Sequence, residues 1–234
     1  METLMHDFLT ESVYLGVILT LGTYWLGLWL RNKTGWTLLN PLLVSIILSI
    51  AFLCATGTSY ESYKKGADVI SYLLTPATVC LAVPLYEQLE RLKRNIHAVA
   101  IGISTGVLAS MLSILGMVLL LHLDHQAYVT LLPKSITTAI GMGVSKELGG
   151  NVPVTIIVIV ITGITGNIFA EKFLKLIKIK EPVAKGIAIG SASHVIGTSK
   201  AMEIGKTEGA MSSLAIVTSG VLTVITASLF SLLA

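Results

Sequence analysis

Two short stretches of this chain gather side chains able to hold a small anion. In the first, a turn opened by Pro133 carries the cation Lys134 and the hydroxyls of Ser135, Thr137 and Thr138, with Gly141 as a hinge just beyond. In the second, Ser191, Ser193, His194, Thr198 and Ser199 gather around Gly190 and Gly197, where the missing Cβ lets backbone come close to a ligand. Half-helices meeting at such segments add N–H groups and dipoles that favour negative charge without any formal cation. An imidazole such as that of His194 is suited to binding a carboxylate or carrying a coupled proton. A small carboxylate fits this set.

Each residue also has an ordinary reading. Ser and Thr inside membrane helices often bond their own i−4 carbonyl or a neighbouring helix. His194 could be a packing histidine, and Lys134 could snorkel to the outer interface. Asp68, Glu147 and Glu203 stand at expected boundaries and read as solvated caps rather than proton relays. The clustering of hydroxyls, more than any single one, favours a site.

Other motifs lead nowhere. Gly205-Lys206-Thr207 has the tail of a phosphate-binding loop but lacks its earlier glycine and a preceding strand. No His, Cys, Asp or Glu set has metal-ligand spacing, and no nucleophile elbow appears, so no cofactor, metal or enzymatic activity is expected. Cys54 and Cys80 lie in apolar stretches and read as small hydrophobes. Asn32-Lys33-Thr34 matches a glycosylation sequon but falls in a loop assigned below to the cytoplasm. Gly102/Gly106 and Gly186/Gly190 have the spacing that lets helices approach closely; it usually serves internal packing, with dimerisation as an alternative. A homo-oligomer is expected.

The elements that position the two stretches are membrane helices. Apolar residues make up 53% and charged residues 12% of the chain, against about 25% charged in a soluble domain; mean hydropathy is +0.82. The lipid bilayer is therefore the main partner, and a net charge of +3 spread over loops argues against nucleic acid. Ser12 to Leu30, Pro41 to Ser59, Ile96 to Leu123, Val152 to Ala170 and Gly209 to Ala234 are uncharged and about as long as the ~20 residues a crossing needs. Val69 to Tyr86 is a sixth, interrupted by Pro76 and Pro84 and expected to be discontinuous. The acidic first residues, with Glu2, Asp7 and Glu11, do not suit a signal peptide, so the first span is read as retained.

Lys and Arg favour the cytoplasmic side of short loops. Arg31 and Lys33, then Arg91, Lys93 and Arg94, then Lys172, Lys175, Lys178 and Lys180 place three loops inside, with Lys64 and Lys65 the exception. The loop at Asp124 has no Lys or Arg and faces out. Because one span separates it from the Lys175 loop, residues 128–150 must enter and leave on one side, as a re-entrant hairpin from outside. By the same counting residues 182–205 enter from the cytoplasm. The expected architecture is all-α and polytopic: one integral membrane domain over 1–234, with N-terminal helices over 1–95 and a core over 96–234, about six crossings and two opposed hairpins. An echo between Leu73–Val83 and Thr130–Ile140 leaves an inverted repeat open. The segments Pro133 to Thr138 and Ser191 to Thr198 are expected to converge near the midplane.

LLPKSITTAIGMGVSKELGG, then a span, then PVAKGIAIGSASHVIGTSKAMEIGKTEGAMSSLA closely resembles the LrgB/CidB family of bacterial membrane proteins, and the N-terminal half, with NPLLVSIILSIAF and TPATVCLAVPLYEQ, resembles it too. The resemblance implies a multi-pass protein of a bacterial plasma membrane. It also implies one of two activities. Family members are described as antiholin-like or holin-like proteins that modulate murein hydrolase activity, autolysis and programmed cell death beside a small LrgA/CidA-type partner. Related proteins, including a plastid member, resemble carriers of glycolate and glycerate, and some bacterial pairs are linked to pyruvate. The polar segments favour a carrier of small monocarboxylates, with proton coupling as an option; the alternative is the antiholin-like regulator. The substrate-binding residues of the carrier would be Lys134, Ser135, Thr137, Thr138, Ser191, Ser193, His194 and Thr198.

Overall fold

The computed structural model describes residues 13–35, 39–73, 76, 79–80, 82–87 and 89–233. The described residues are helices joined by turns, and the chain is an all-α, polytopic membrane protein. It divides into two compact units, residues 1–80 and 81–234. Glu2, Asp7 and Glu11 lie outside the described residues, as does much of the Leu73 to Val83 echo.

The first unit contains α1 (Val13–Thr34), α2 (Pro41–Thr56) and α3 (Tyr60–Ser71). Asn40 caps α2 by accepting from the N–H groups of Leu42 and Leu43, Pro41 occupies the first turn where no N–H is needed, and Gly57 ends the helix in the left-handed region at φ 66°. Close approach and hydroxyls hold the three together. A Cβ on Gly16 would run into the backbone of Tyr63 and Ala67 on α3. The Thr23 hydroxyl lies 2.9 Å from that of Ser45 and 3.1 Å from that of Ser49 on α2. In lipid, where apolar burial drives little helix association, such contacts are what distinguish a packed face from an exposed one.

The helix α3 was not expected. Its charged residues Glu61, Lys64 and Lys65 remove it from any search for apolar runs, yet Ser59 caps its N-terminus by accepting from Ser62 N–H. It absorbs Val69 to Ser71, the start of the sixth expected span, and Tyr72 and Leu73 follow in a turn.

The second unit opens with two short helices, α4 (Ala82–Glu87) and α5 (Leu89–Arg94), followed by the long α6 (Ile96–Leu121). Then come α7 (His125–Leu131), a 3₁₀ turn over Leu132–Ser135, α8 (Thr138–Glu147), α9 (Val152–Leu176), α10 (Pro182–Ile204) and α11 (Lys206–Phe230). Among the described residues α6, α9 and α11 are the helices long and apolar enough to cross a membrane. On α6 one stripe, Val99, Ile103, Val107, Met111, Ile114 and Val118, is buried against Tyr128, Leu132, Ile136 and Met211. On α11 the interior side carries small and hydroxyl residues such as Ala210, Ser212, Ala215, Ser219 and Thr223, while Val217, Val221 and Ile225 face outward. A helix with its bulkier apolar residues outside is arranged for lipid.

Both expected hairpins are present. In the first, α7 and the 3₁₀ turn run one way, Ile136 (φ −121°, ψ 178°) and Thr137 (φ −65°, ψ 147°) are extended, and α8 runs back. Its mouth is closed by Thr130, whose hydroxyl accepts from Asn151 N–H at 2.8 Å. In the second, α10 is two arms that reverse at His194 (φ 43°, ψ −138°). A Cβ on Gly197 would stand 3.1 Å from Cγ2 of Ile189, whereas an unbroken helix would hold these residues about 12 Å apart. The helix α9 fixes their relation: Thr155 near its start bonds Thr130 and Ser145 at the first mouth, and Glu171 near its end pairs with Lys200 on the second hairpin's returning arm. The hairpins enter from opposite ends of α9.

Candidate functional site

Each tip is held from outside the hairpin. At the second, Nε2 of His194 lies 3.1 Å from the carbonyl oxygen of Ile159 on α9, which makes it the protonated nitrogen of that pair. The positive φ needed for the reversal is costly for a residue with a Cβ, and a fixed side chain helps to maintain it. The His194 carbonyl accepts from the Thr198 hydroxyl at 2.8 Å, and that hydroxyl also meets Ser212 on α11 at 2.7 Å. Two turns further along α9, Asn167 donates to the Ile196 carbonyl at 2.8 Å and to Ser199 at 2.9 Å. The first arm of α10 lies tight against α11, since a Cβ on Gly190 would strike the Ser212 carbonyl and stand 2.9 Å from the Ala215 Cβ.

At the first tip Pro133 begins the turn, and its carbonyl accepts from Ile136 N–H at 3.3 Å. The Lys134 ammonium donates to the Ser135 hydroxyl at 3.0 Å, and Ser135 in turn lies 3.1 Å from the hydroxyl of Ser110 on α6. Gly141, one turn into α8, packs so closely on Ile159 that a Cβ would collide with its side chain. Ile159 therefore touches both hairpins: its side chain meets Gly141 and its carbonyl meets His194.

Between the tips lies an open cleft of about 900 Å³. It runs along α6 from Asn95 past Gly102 and Gly106 to Ser113, a rise of about 27 Å. The first arm of α10, with Ile187, Ser191 and Ser193, forms a second side; α9 supplies Thr162, Thr165 and Gly166, and Lys134 and Ser135 stand at the far end. Gly106 makes room for Ser191, since its Cβ would lie 3.1 Å from the Ser191 oxygen; a Cβ on Gly166 would collide with Ser193. About half of the lining residues are Ala, Gly, Ile or Val; the rest are polar, with Asn95 and the carboxylate of Glu181 among them as well as the hydroxyls and Lys134.

The structure brings Lys134, Ser135, Ser191 and Ser193 to one cleft. Thr137 and Thr138 are not among the residues that line it, and His194 and Thr198 bond to α9 and α11. The ordinary reading of hydroxyls also holds in part: Ser191 donates to its i−4 carbonyl, Ile187, at 2.8 Å, and Thr198 does the same toward His194. Ser110, Ser113, Thr162 and Thr165 line the cleft without having been singled out in the sequence. They sit inside apolar runs that read as plain spans, and the available signal was the i, i+4 series of small residues Gly102, Gly106 and Ser110.

Comparison with known proteins agrees with the residues. Positions 20–233 match the model of the LrgB-like family. The chain is 35% identical to the antiholin-like protein LrgB of Bacillus subtilis (strain 168) over 222 residues, which cover 94% of this chain and 96% of that protein. No solved structure matches.

Proposed function

The chain belongs to the LrgB-like family, and from that premise we propose that it acts in a bacterial plasma membrane as an antiholin-like protein. The observation that carries this is the 35% identity, along nearly the whole chain, to a protein of that name. It places the antiholin-like reading ahead of the carrier, the reverse of the order suggested by the polar segments alone. The activity so inferred is restraint of murein hydrolases and autolysis, beside an LrgA/CidA-type partner and as a homo-oligomer. It is tested by expressing the chain in a Bacillus subtilis strain that lacks its LrgB relative and following autolysis after a lytic challenge. Slower lysis than with the empty vector supports the reading; unchanged lysis, in a strain where the native protein does slow it, counts against it.

One observation favours the second reading. A protein that works only by lateral assembly has no need of a cation and several hydroxyls gathered in a partly apolar cleft between two hairpin tips. On this reading Lys134, Ser135, Ser191 and Ser193 bind a small monocarboxylate, the hairpins alternate its access, and lysis is altered through the movement of organic acid. Uptake of a labelled panel of short acids into proteoliposomes, with and without a pH gradient, separates the two. A chain that restrains lysis in cells and moves none of the acids is a regulator, not a carrier.

A further inference from the structure

The cleft begins at one end of the helices and stops partway along them. Its near end lies between Asn95 and Glu181, the residues that precede α6 and α10. Arg91, Lys93 and Arg94 come just before the first of these, and Lys172, Lys175, Lys178 and Lys180 just before the second. Two separate basic loops thus put this end in the cytoplasm. From there the lining residues of α6 stop at Ser113, although the helix runs on to Leu121, about 12 Å further.

The first hairpin fills that remainder. Ile114 and Val118 of α6 are buried in one core with Tyr128, Leu132 and Ile136. The opening turns of α9 are taken up in the same way, Thr155 by its bond to Thr130 and Ile159 by its contact with Gly141. The Tyr128 hydroxyl then donates to the Phe230 carbonyl, near the end of α11, at 2.9 Å. Among the described residues the hairpin gives the cleft only Lys134 and Ser135, at its tip.

The polar groups of the cleft need a solvent. Elsewhere in this unit Thr105 and Thr226 return their protons to the i−4 carbonyls of Ile101 and Leu222, the usual arrangement in a membrane helix. Thr162, Thr165 and Ser193 line the cleft, and their hydroxyls have no partner among the described residues. Ser193 is only 4% exposed, yet no fully buried side-chain oxygen or nitrogen among those residues is left unpaired. Its oxygen must therefore reach the open space. An ammonium has three donors, and Lys134 uses one of them on Ser135. A cation and three hydroxyls left in this state at membrane depth are costly unless water reaches them. The 900 Å³ of the cleft is many times the ~30 Å³ that one water occupies in the liquid.

We propose that the cleft is a water-filled vestibule, open to the cytoplasm and plugged toward the outside by the first hairpin, so that polar solutes reach its Lys134 end from one face of the membrane only. This does not depend on which activity the vestibule serves. For the test, Cys54 and Cys80 are replaced by Ser in the full chain, and single cysteines are placed at Ala98 near the mouth and at Ala109 and Ala192 further in. Gln126→Cys and Lys180→Cys report the outer and cytoplasmic faces. Inside-out and right-side-out membrane vesicles are treated with a membrane-impermeant thiol reagent that bears a sulfonate. All three cleft cysteines should be modified when the cytoplasmic face is presented and stay unmodified when the outer face is, with Ala98→Cys reacting fastest. Modification of Ala109→Cys or Ala192→Cys from the outer face overturns the plug, and modification from neither face overturns the water-filled cleft. Gln126→Cys reacting from the cytoplasmic face would reverse the orientation and overturn the proposal equally. Should one deep variant fail to reach the membrane, the other decides alone.

Discussion

The imidazole of His194 and the carbonyl of Ile159, 3.1 Å apart, join the reversal of the second hairpin to the helix that runs past both hairpins. The bond stands at a residue whose φ of 43° would suit glycine. Replacing His194 by Ala removes the bond and keeps the strain, and should destabilise the protein by about 1–3 kcal/mol. Replacing it by Gly removes both, so the loss should be smaller. Thermal unfolding of the two variants and the unaltered protein in detergent gives the order; Ala equal to or more stable than Gly would show that the positive φ costs nothing here, and both matching the unaltered protein would show that the reversal does not depend on this brace.

A second knot closes the first hairpin. The hydroxyl of Thr155, with no exposed surface, lies 2.9 Å from the Thr130 carbonyl and 2.7 Å from the Ser145 hydroxyl. Thr155→Val preserves shape and strands both partners, a loss of about 1–3 kcal/mol. The hairpin mouth should open before the rest of the unit. Cysteines placed at Thr130 or Ser145 report this as faster thiol labelling when combined with Thr155→Val, and unchanged labelling would place the closure elsewhere.

How much of this could be read in the sequence differs between the hairpins. Charge parity required the first to turn back, and Pro133 marked the place; the extended residues are Ile136 and Thr137 because the proline sits in a 3₁₀ turn that delays the break. The second was marked only by its density of Gly and Ser. Its turning residue is a histidine, which has no turn propensity, and it is fixed by a carbonyl on another helix that no local pattern reveals. The cleft shows the same division. Lys134 and Ser191 were visible as polar residues in polar segments, but Ser110 and Thr162 stand in uninterrupted apolar helices, and only the packing of Gly106 and Gly166 turns those faces inward. Helix α3 was missed for the converse reason, being too charged for a search aimed at spans.

The seam between α10 and α11 depends on glycine. Gly190 lies where a side chain would strike the Ser212 carbonyl, and a Cβ on Gly186 would stand 2.7 Å from the Met211 Cβ. Neither obstacle is the end of a flexible side chain. Gly190→Val should cost several kcal/mol as overpacking and reduce the folded fraction recovered by size-exclusion chromatography. Gly143→Ala, at a position with nothing within 4 Å, is the control and should be recovered in full. Normal recovery of Gly190→Val would mean that the two helices can part without loss.

The ion pairs at the far end of α9 should matter little. Lys200 lies 3.1 Å from Glu171 and 3.2 Å from Glu203, with both carboxylates more than a third exposed. Exposed pairs of this kind contribute about 0–1 kcal/mol and weaken with salt. Lys200→Met should therefore shift the thermal midpoint slightly at low ionic strength and by still less at high ionic strength. A large, salt-independent loss would show that Lys200 holds the returning arm through packing of its stem.

Lys134 separates the two readings of function most directly. Its ammonium bonds a neighbouring hydroxyl, so Lys134→Met keeps an unbranched stem one atom shorter and removes the cation from the cleft. If the cleft binds a carboxylate, the loss of a charge-assisted hydrogen bond should weaken that binding by about 10- to 100-fold with little change in thermal stability. Titration of short monocarboxylates against the purified protein and its variant measures the first quantity, and a melting curve the second. If the cleft instead receives a helix from an LrgA/CidA-type partner, the same substitution should reduce co-purification of the partner and leave acid binding undetectable in both proteins. Tight acid binding that survives Lys134→Met would remove this residue from the site and move the anion toward Ser191 and Ser193.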